Sequence, residues 1–195
     1  QKTNALTGVQ TTPPMLCTTN SGYFNLYFEA GCGMDGATQT DIDRRNVICQ
    51  VFADISAFIS SPLNITGNKV NILVGNLNPL LPGYTSWGNP LPAASSGVLG
   101  LAKSFHCIPY NYNSSNISRI SDNEIWKTIH AGSDSYQNVS SPLVPTGNGT
   151  FYHGLVAFNF DNINNIQWNL DLNNPTFPNG LYDLYTVALH EVTHA

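Results

Sequence analysis

The sequence predicts an α+β fold, a mixed β-sheet with two helices packed on it, from three observations. Two helix-period apolar series stand far apart, one around Val51 and one around Val187. The stretch between them carries runs of period 2, at Val70 and again at Phe158. The resulting order is strand, helix, strands, helix, which is not the regular alternation of a doubly wound fold. The chain has 195 residues, 42% of them hydrophobic, enough for one core and one domain.

The elements follow in order. Residues 1–21 are rich in Thr, Asn and Pro and read as a flexible lead-in; residues 22–195 form the domain. Tyr23 to Glu29 is aromatic and extended, a strand. Gly31 to Gly36 is a turn-rich loop. A helix spans Thr40 to Ser60, with Thr40 and Asp43 as a capping pair and Ile48, Val51, Phe52, Ile55 and Ile59 on one face. Pro62 and Gly67 end it. Lys69 to Val74 is the second strand, with Val70, Ile72 and Val74 on one side. Residues 78–96 hold four prolines and form a long loop. Gly97 to Ala102 is the third extended segment, Glu124 to His130 the fourth, and Gly154 to Phe160 the fifth, with a loop over 131–150. The last helix starts near Leu181 or Tyr182, where Asp183 suits the dipole, and runs to the chain end.

Charge excludes some functions. Only 10% of the residues are charged, against roughly 25% in an ordinary soluble domain. With 7 basic residues, 12 acidic ones and a net charge of -5, no phosphate-binding patch can form, which argues against nucleic acid as a partner. No run of 18 apolar residues exists, so no transmembrane helix is expected. Polarity comes from 24 Asn, 16 Ser and 16 Thr, a balance closer to secreted proteins than to cytosolic ones. The five Asn-x-Ser/Thr sequons match chance for so much Asn and decide nothing about glycosylation. Cys17, Cys32, Cys49 and Cys107 contain no Cys-x-x-Cys pair, which leaves a cysteine zinc site unsupported. They fit two disulfides with three pairings open; the other reading is four free thiols, with Cys49 buried in a helix.

The chemistry lies in His190-Glu191-Val192-Thr193-His194. In a helix, positions i and i+4 share one face, so both imidazoles can address one Zn²⁺. Glu191 between them can reach a water on that metal and act as general base. In a chain this poor in His and Glu, the motif arises by chance roughly 0.002 times. Leu184, Val187, Ala188 and Val192 make the helix largely apolar, as an active-site helix inside a domain must be. His106, His130 and His153 lack ligand spacing and read as loop or core histidines, with His153 the first to try as a third ligand. Asp35, Asp41, Asp43 and Asp54 lack the spacing of a calcium loop; Asp41 and Asp43 fit a solvated helix start.

Leu189 to Ala195 resembles the opening of the metzincin signature HExxHxxGxxH. Gly97-Val98-Leu99-Gly100-Leu101-Ala102, with Pro109 after it, resembles the metzincin edge strand, and Val156 to Phe160 resembles the strand before the active-site helix. Arg44 to Val47, Glu124 to Ile129 and Leu184 to Leu189 make the chain similar to secreted zinc-protease-like proteins of Bacteroidetes type. The resemblance covers about residues 22–195 and implies a zincin fold: a twisted mixed sheet, a backing helix over about Asp41 to Ser60 and an active-site helix. The signature's Gly, its third His and the Met-turn would follow Ala195, so the C-terminal subdomain is expected to be missing and the chain to be a piece of a longer protein. A gluzincin, with a downstream Glu as third ligand, is the other zincin reading.

The expected function is therefore a secreted, monomeric zinc metalloendopeptidase, present as an inactive fragment. His190 and His194 are the metal ligands, Glu191 is the catalytic base, and Zn²⁺ is the cofactor. Gly97, Val98, Leu99, Gly100, Leu101 and Ala102 are expected to bind a protein or peptide substrate by strand addition. The alternative is a non-catalytic surface or adhesion module on a degenerate scaffold of the same kind.

Overall fold

The computed structural model describes residues 15–63, 69–77, 97–104, 107–111, 118–132, 152–160, 166–174 and 180–194. The proline-rich loop 78–96, most of the loop expected over 131–150, residues 1–14, the five sequons and His106 lie outside the described residues.

Alternating burial builds the central sheet. β1 (Phe24–Phe28) buries Phe24, Leu26 and Phe28 on one face. β2 (Val70–Asn76) buries Val70, Ile72 and Val74 on the same side, as the period-2 pattern predicts. Later in the chain come β3 (Gly100–Ser104) and β6 (Gly154–Phe158). The four strands lie in the order β1-β2-β6-β3. β1, β2 and β6 are parallel, whereas β3 runs antiparallel to β6 and closes one side of the sheet. β6 sits in the middle, buried throughout, and reads as a continuous apolar run for that reason.

α1 (Gln39–Phe58) crosses between β1 and β2. Its Val47, Ile48, Val51 and Phe52 pack on the sheet, and the Phe52 ring meets Phe24 edge-on at 5.0 Å. The cap lies two residues before the expected one. Thr38 Oγ1 accepts the Asp41 N–H at 3.2 Å, and the Thr38 hydroxyl donates to the Asp41 carboxylate. The same three-residue spacing recurs at Thr38/Asp41 and Thr40/Asp43, so spacing alone could not choose between them. Asp43 instead accepts from Gln39 Nε2 within the first turn.

Glu124 to His130 is not a strand. It belongs to α2 (Glu124–Ala131), with Ile125 and Thr128 buried one turn apart. Ile125, Thr128 and Ile129 are β-branched, but their spacing of three and four fits a helix face. A hairpin of β4 (Cys107–Asn111) and β5 (Ser118–Asn123) precedes it, and a two-residue pair joins β7 (Trp168–Asn169) to β8 (Tyr182–Asp183). Pro109 interrupts β4, β5 carries Ser, Arg, Asp and Asn, and β7 and β8 have two residues each, so none of the four stands out in the sequence. The last helix, α3 (Leu184–Val192), is shorter than expected at both ends.

Among the described residues one disulfide forms, Cys17–Cys49, and Cys32 is a buried free thiol, so neither two bridges within the chain nor four free thiols is found. From Met15, which pairs with Tyr27, the chain is pinned along the outer edge of β1 and tied to α1 through Cys17. Among the described residues no helix is long and apolar enough to cross a membrane.

Candidate metal centre

Asp183 starts α3. Its carboxylate accepts the Thr186 N–H at 2.9 Å and the Thr186 hydroxyl at 2.6 Å, so two donors of the first turn are satisfied by one side chain. Leu184 and Ala188 are fully buried against the sheet. Tyr185 donates to Asp54 on α1 at 2.7 Å, tying the two helices together; that bond, with partial burial, pushes its phenol up to about 12. At the other end the Thr193 hydroxyl donates to the His190 carbonyl, and the His194 N–H to the Glu191 carbonyl. Both occupy carbonyls that the helix itself leaves open.

This frame sets the HExxH side chains. Leu184, Ala188 and Glu191 follow one stripe at helical spacing, and His190 and His194 stand on the adjoining flank. Both imidazoles are exposed, and their Nε2 atoms are 3.1 Å apart. Two nitrogens bound tetrahedrally to one zinc at ~2.0–2.1 Å would stand about 3.3 Å apart. The pair therefore fits two positions of a zinc site with a small opening of the rings. Among the described residues no third His, Cys, Asp or Glu joins them.

His153 does not. It is buried before β6, where its Nδ1 accepts the Asn71 N–H at 2.9 Å. Gly100, which meets Glu191, pairs with Phe158 at the far end of β6. Five residues at ~3.3 Å each separate the two ends, roughly 16 Å. His130 is exposed on α2, edge-on to the Trp126 ring.

Gly100, Leu101 and Ala102 lie in β3, the sheet's edge strand among the described residues, while Gly97, Val98 and Leu99 lead into it. Asn159 holds that lead-in, a role that sequence reasoning missed. Its N–H donates to the Leu99 carbonyl at 2.9 Å and its side-chain amide to the Val98 carbonyl at 3.0 Å. The only sequence signal was an Asn ending an otherwise apolar strand. α3 packs across β3 so closely that a Cβ on Gly100 would stand 2.8 Å from Glu191 Cγ and 3.3 Å from Val187 Cγ1. The edge strand and the HExxH glutamate are thus neighbours.

A second motif leads elsewhere. Gly31-Cys32-Gly33-Met34-Asp35-Gly36 has Gly-x-Gly-x-x-Gly spacing between a strand and a helix joined to a parallel strand. Its first two N–H groups, of Gly31 and Cys32, are already used. Asp35 accepts the Gly31 N–H, and Thr38 and Asp41 occupy the start of α1. Two carboxylates there would repel a pyrophosphate, and Asn76 ends β2 where a ribose-binding acid would stand. Arg44 and Arg45 brace the loop through the Gly33, Met34 and Gly36 carbonyls, making it structural.

No family model, curated protein or solved structure matches the chain.

Proposed function

We propose that this chain carries the active-site helix of a secreted zinc metalloendopeptidase with a zincin-like fold of metzincin type. The observation that carries the reading is the convergence of His190 and His194 to 3.1 Å with Glu191 one residue on and seated against the edge strand. His190 and His194 would hold the metal through Nε2, both neutral. Zinc, when bound, supplies Lewis-acid polarisation and acidifies water. A Glu191 carboxylate oxygen takes the proton of the attacking water and returns it to the leaving amine nitrogen. β3 aligns an extended peptide through its outer N–H and C=O groups, which explains why the base sits beside the strand that ends the sheet among the described residues. The Cys17–Cys49 bridge supports an oxidising compartment, consistent with secretion.

Casein hydrolysis by the zinc-loaded full-length protein tests the reading. Glu191→Gln is expected to abolish cleavage while zinc stays bound, because the carboxylate moves protons and is not a ligand. Undiminished cleavage by that variant would remove Glu191 from the mechanism. No cleavage by the unsubstituted protein would favour the non-catalytic module.

A further inference from the structure

We propose that Gly100 is a positioning residue, whose missing side chain seats the Glu191 carboxylate beside the bound peptide; the inference rests on the peptidase reading above. Gly100 needs no glycine for its backbone. It lies in a regular strand and is not among the residues with positive φ. What requires glycine is the space above it. A Cβ there would stand 2.8 Å from Glu191 Cγ, inside van der Waals contact, with Val187 Cγ1 at 3.3 Å and Glu191 Cδ at 3.4 Å. The methylene that carries the carboxylate therefore rests on the bare backbone of β3.

The register separates this role from substrate binding. The Leu99 carbonyl accepts from the Asn159 N–H, so residue 99 faces β6. In an antiparallel ladder the next residue turns its N–H and C=O the other way. Gly100 thus presents both groups to the side of β3 that no described strand covers, where a peptide would pair, and the sheet face toward α3 to Glu191. Gly100→Ala keeps the backbone groups and fills the seat. It should leave peptide binding intact and move the base. Displacement of a catalytic group by about 1 Å costs on the order of 100-fold in rate.

The test has two arms. In the 195-residue chain, NMR should show a proximity signal between the Glu191 γ-protons and the Gly100 α-protons. Gly100→Ala should shift the Glu191 side-chain resonances and leave the His190 and His194 ring resonances in place. In the zinc-loaded full-length protein, Gly100→Ala should lower kcat for a peptide substrate about 100-fold, with KM within twofold and melting temperature and zinc content unchanged. A purely structural glycine would instead lower the melting temperature and shift kcat and KM together. Absence of the Glu191–Gly100 proximity signal overturns the proposal, even if the variant does not fold. A kcat within twofold of the unsubstituted protein overturns it too. If the unsubstituted protein cleaves nothing, the peptidase reading fails, and the NMR arm alone decides whether Gly100 seats Glu191.

Discussion

Cys32 lies just past β1 with no exposed surface, its thiol against the Asp35 carboxylate. Burial pushes it up to about 12, whereas an unburied thiol titrates near 9.0. Between these values the unfolded chain gives up a proton that the folded chain keeps. The folded state binds more protons there, so stability falls as pH rises. We expect the urea midpoint to hold below pH 9 and to fall above it, with Cys32→Ala removing the earliest part of the fall. Tyr27 and Tyr152, raised by burial, act in the same direction at higher pH. The same scale separates the three motif side chains. His190→Ala removes one of only two imidazoles on that helix flank and should abolish Zn²⁺ uptake, read by isothermal titration, whereas Glu191→Gln should not. The motif was legible in the sequence because its chemistry depends on spacing along a single helix. Fully buried Cys32 was not, since a lone thiol looks the same in the sequence whether it is bridged or free.

α1 shows where reading of elements succeeds and where it slips. Its apolar face at Val47, Ile48, Val51 and Phe52 followed from helical spacing, but its first residue depended on which of two Thr-x-x-Asp pairs closes the end. Thr38→Ala should cost about 1 kcal/mol of stability and Thr40→Ala close to nothing, measured by urea unfolding, because only Thr38 accepts a backbone N–H of the first turn. At α2 the segment Glu124 to His130, expected to be extended, is helical, and Ile125 and Thr128 are buried one turn apart. The β4–β5 hairpin escaped notice because Pro109 interrupts β4 and β5 carries too many polar residues for a period-2 signal.

Across the whole molecule, two long-range ties hold the site's frame. Tyr185–Asp54 joins residues 131 positions apart and fixes α3 on α1. Cys17–Cys49 closes a separation of 32 residues and fastens the chain along the outer edge of β1. By loop-closure entropy, replacing Cys17 and Cys49 with Ala should lower unfolding stability by about 3–4 kcal/mol. It should also raise hydrogen exchange at β1, whose edge then loses its cover. Unchanged exchange at Phe24–Phe28 would show that the bridge does not guard the edge. The sequence by itself determined the α+β class, the β1–α1–β2 order and the HExxH helix, because each follows from periodicity within a few turns or a single strand. Only the tertiary structure decided that Cys17 pairs with Cys49, that His153 stands at the far end of β6, and that Glu191 rests on Gly100. Those contacts join residues from 32 to 91 positions apart, set by how strands order in the sheet and how closely α3 can approach it, which no local pattern encodes.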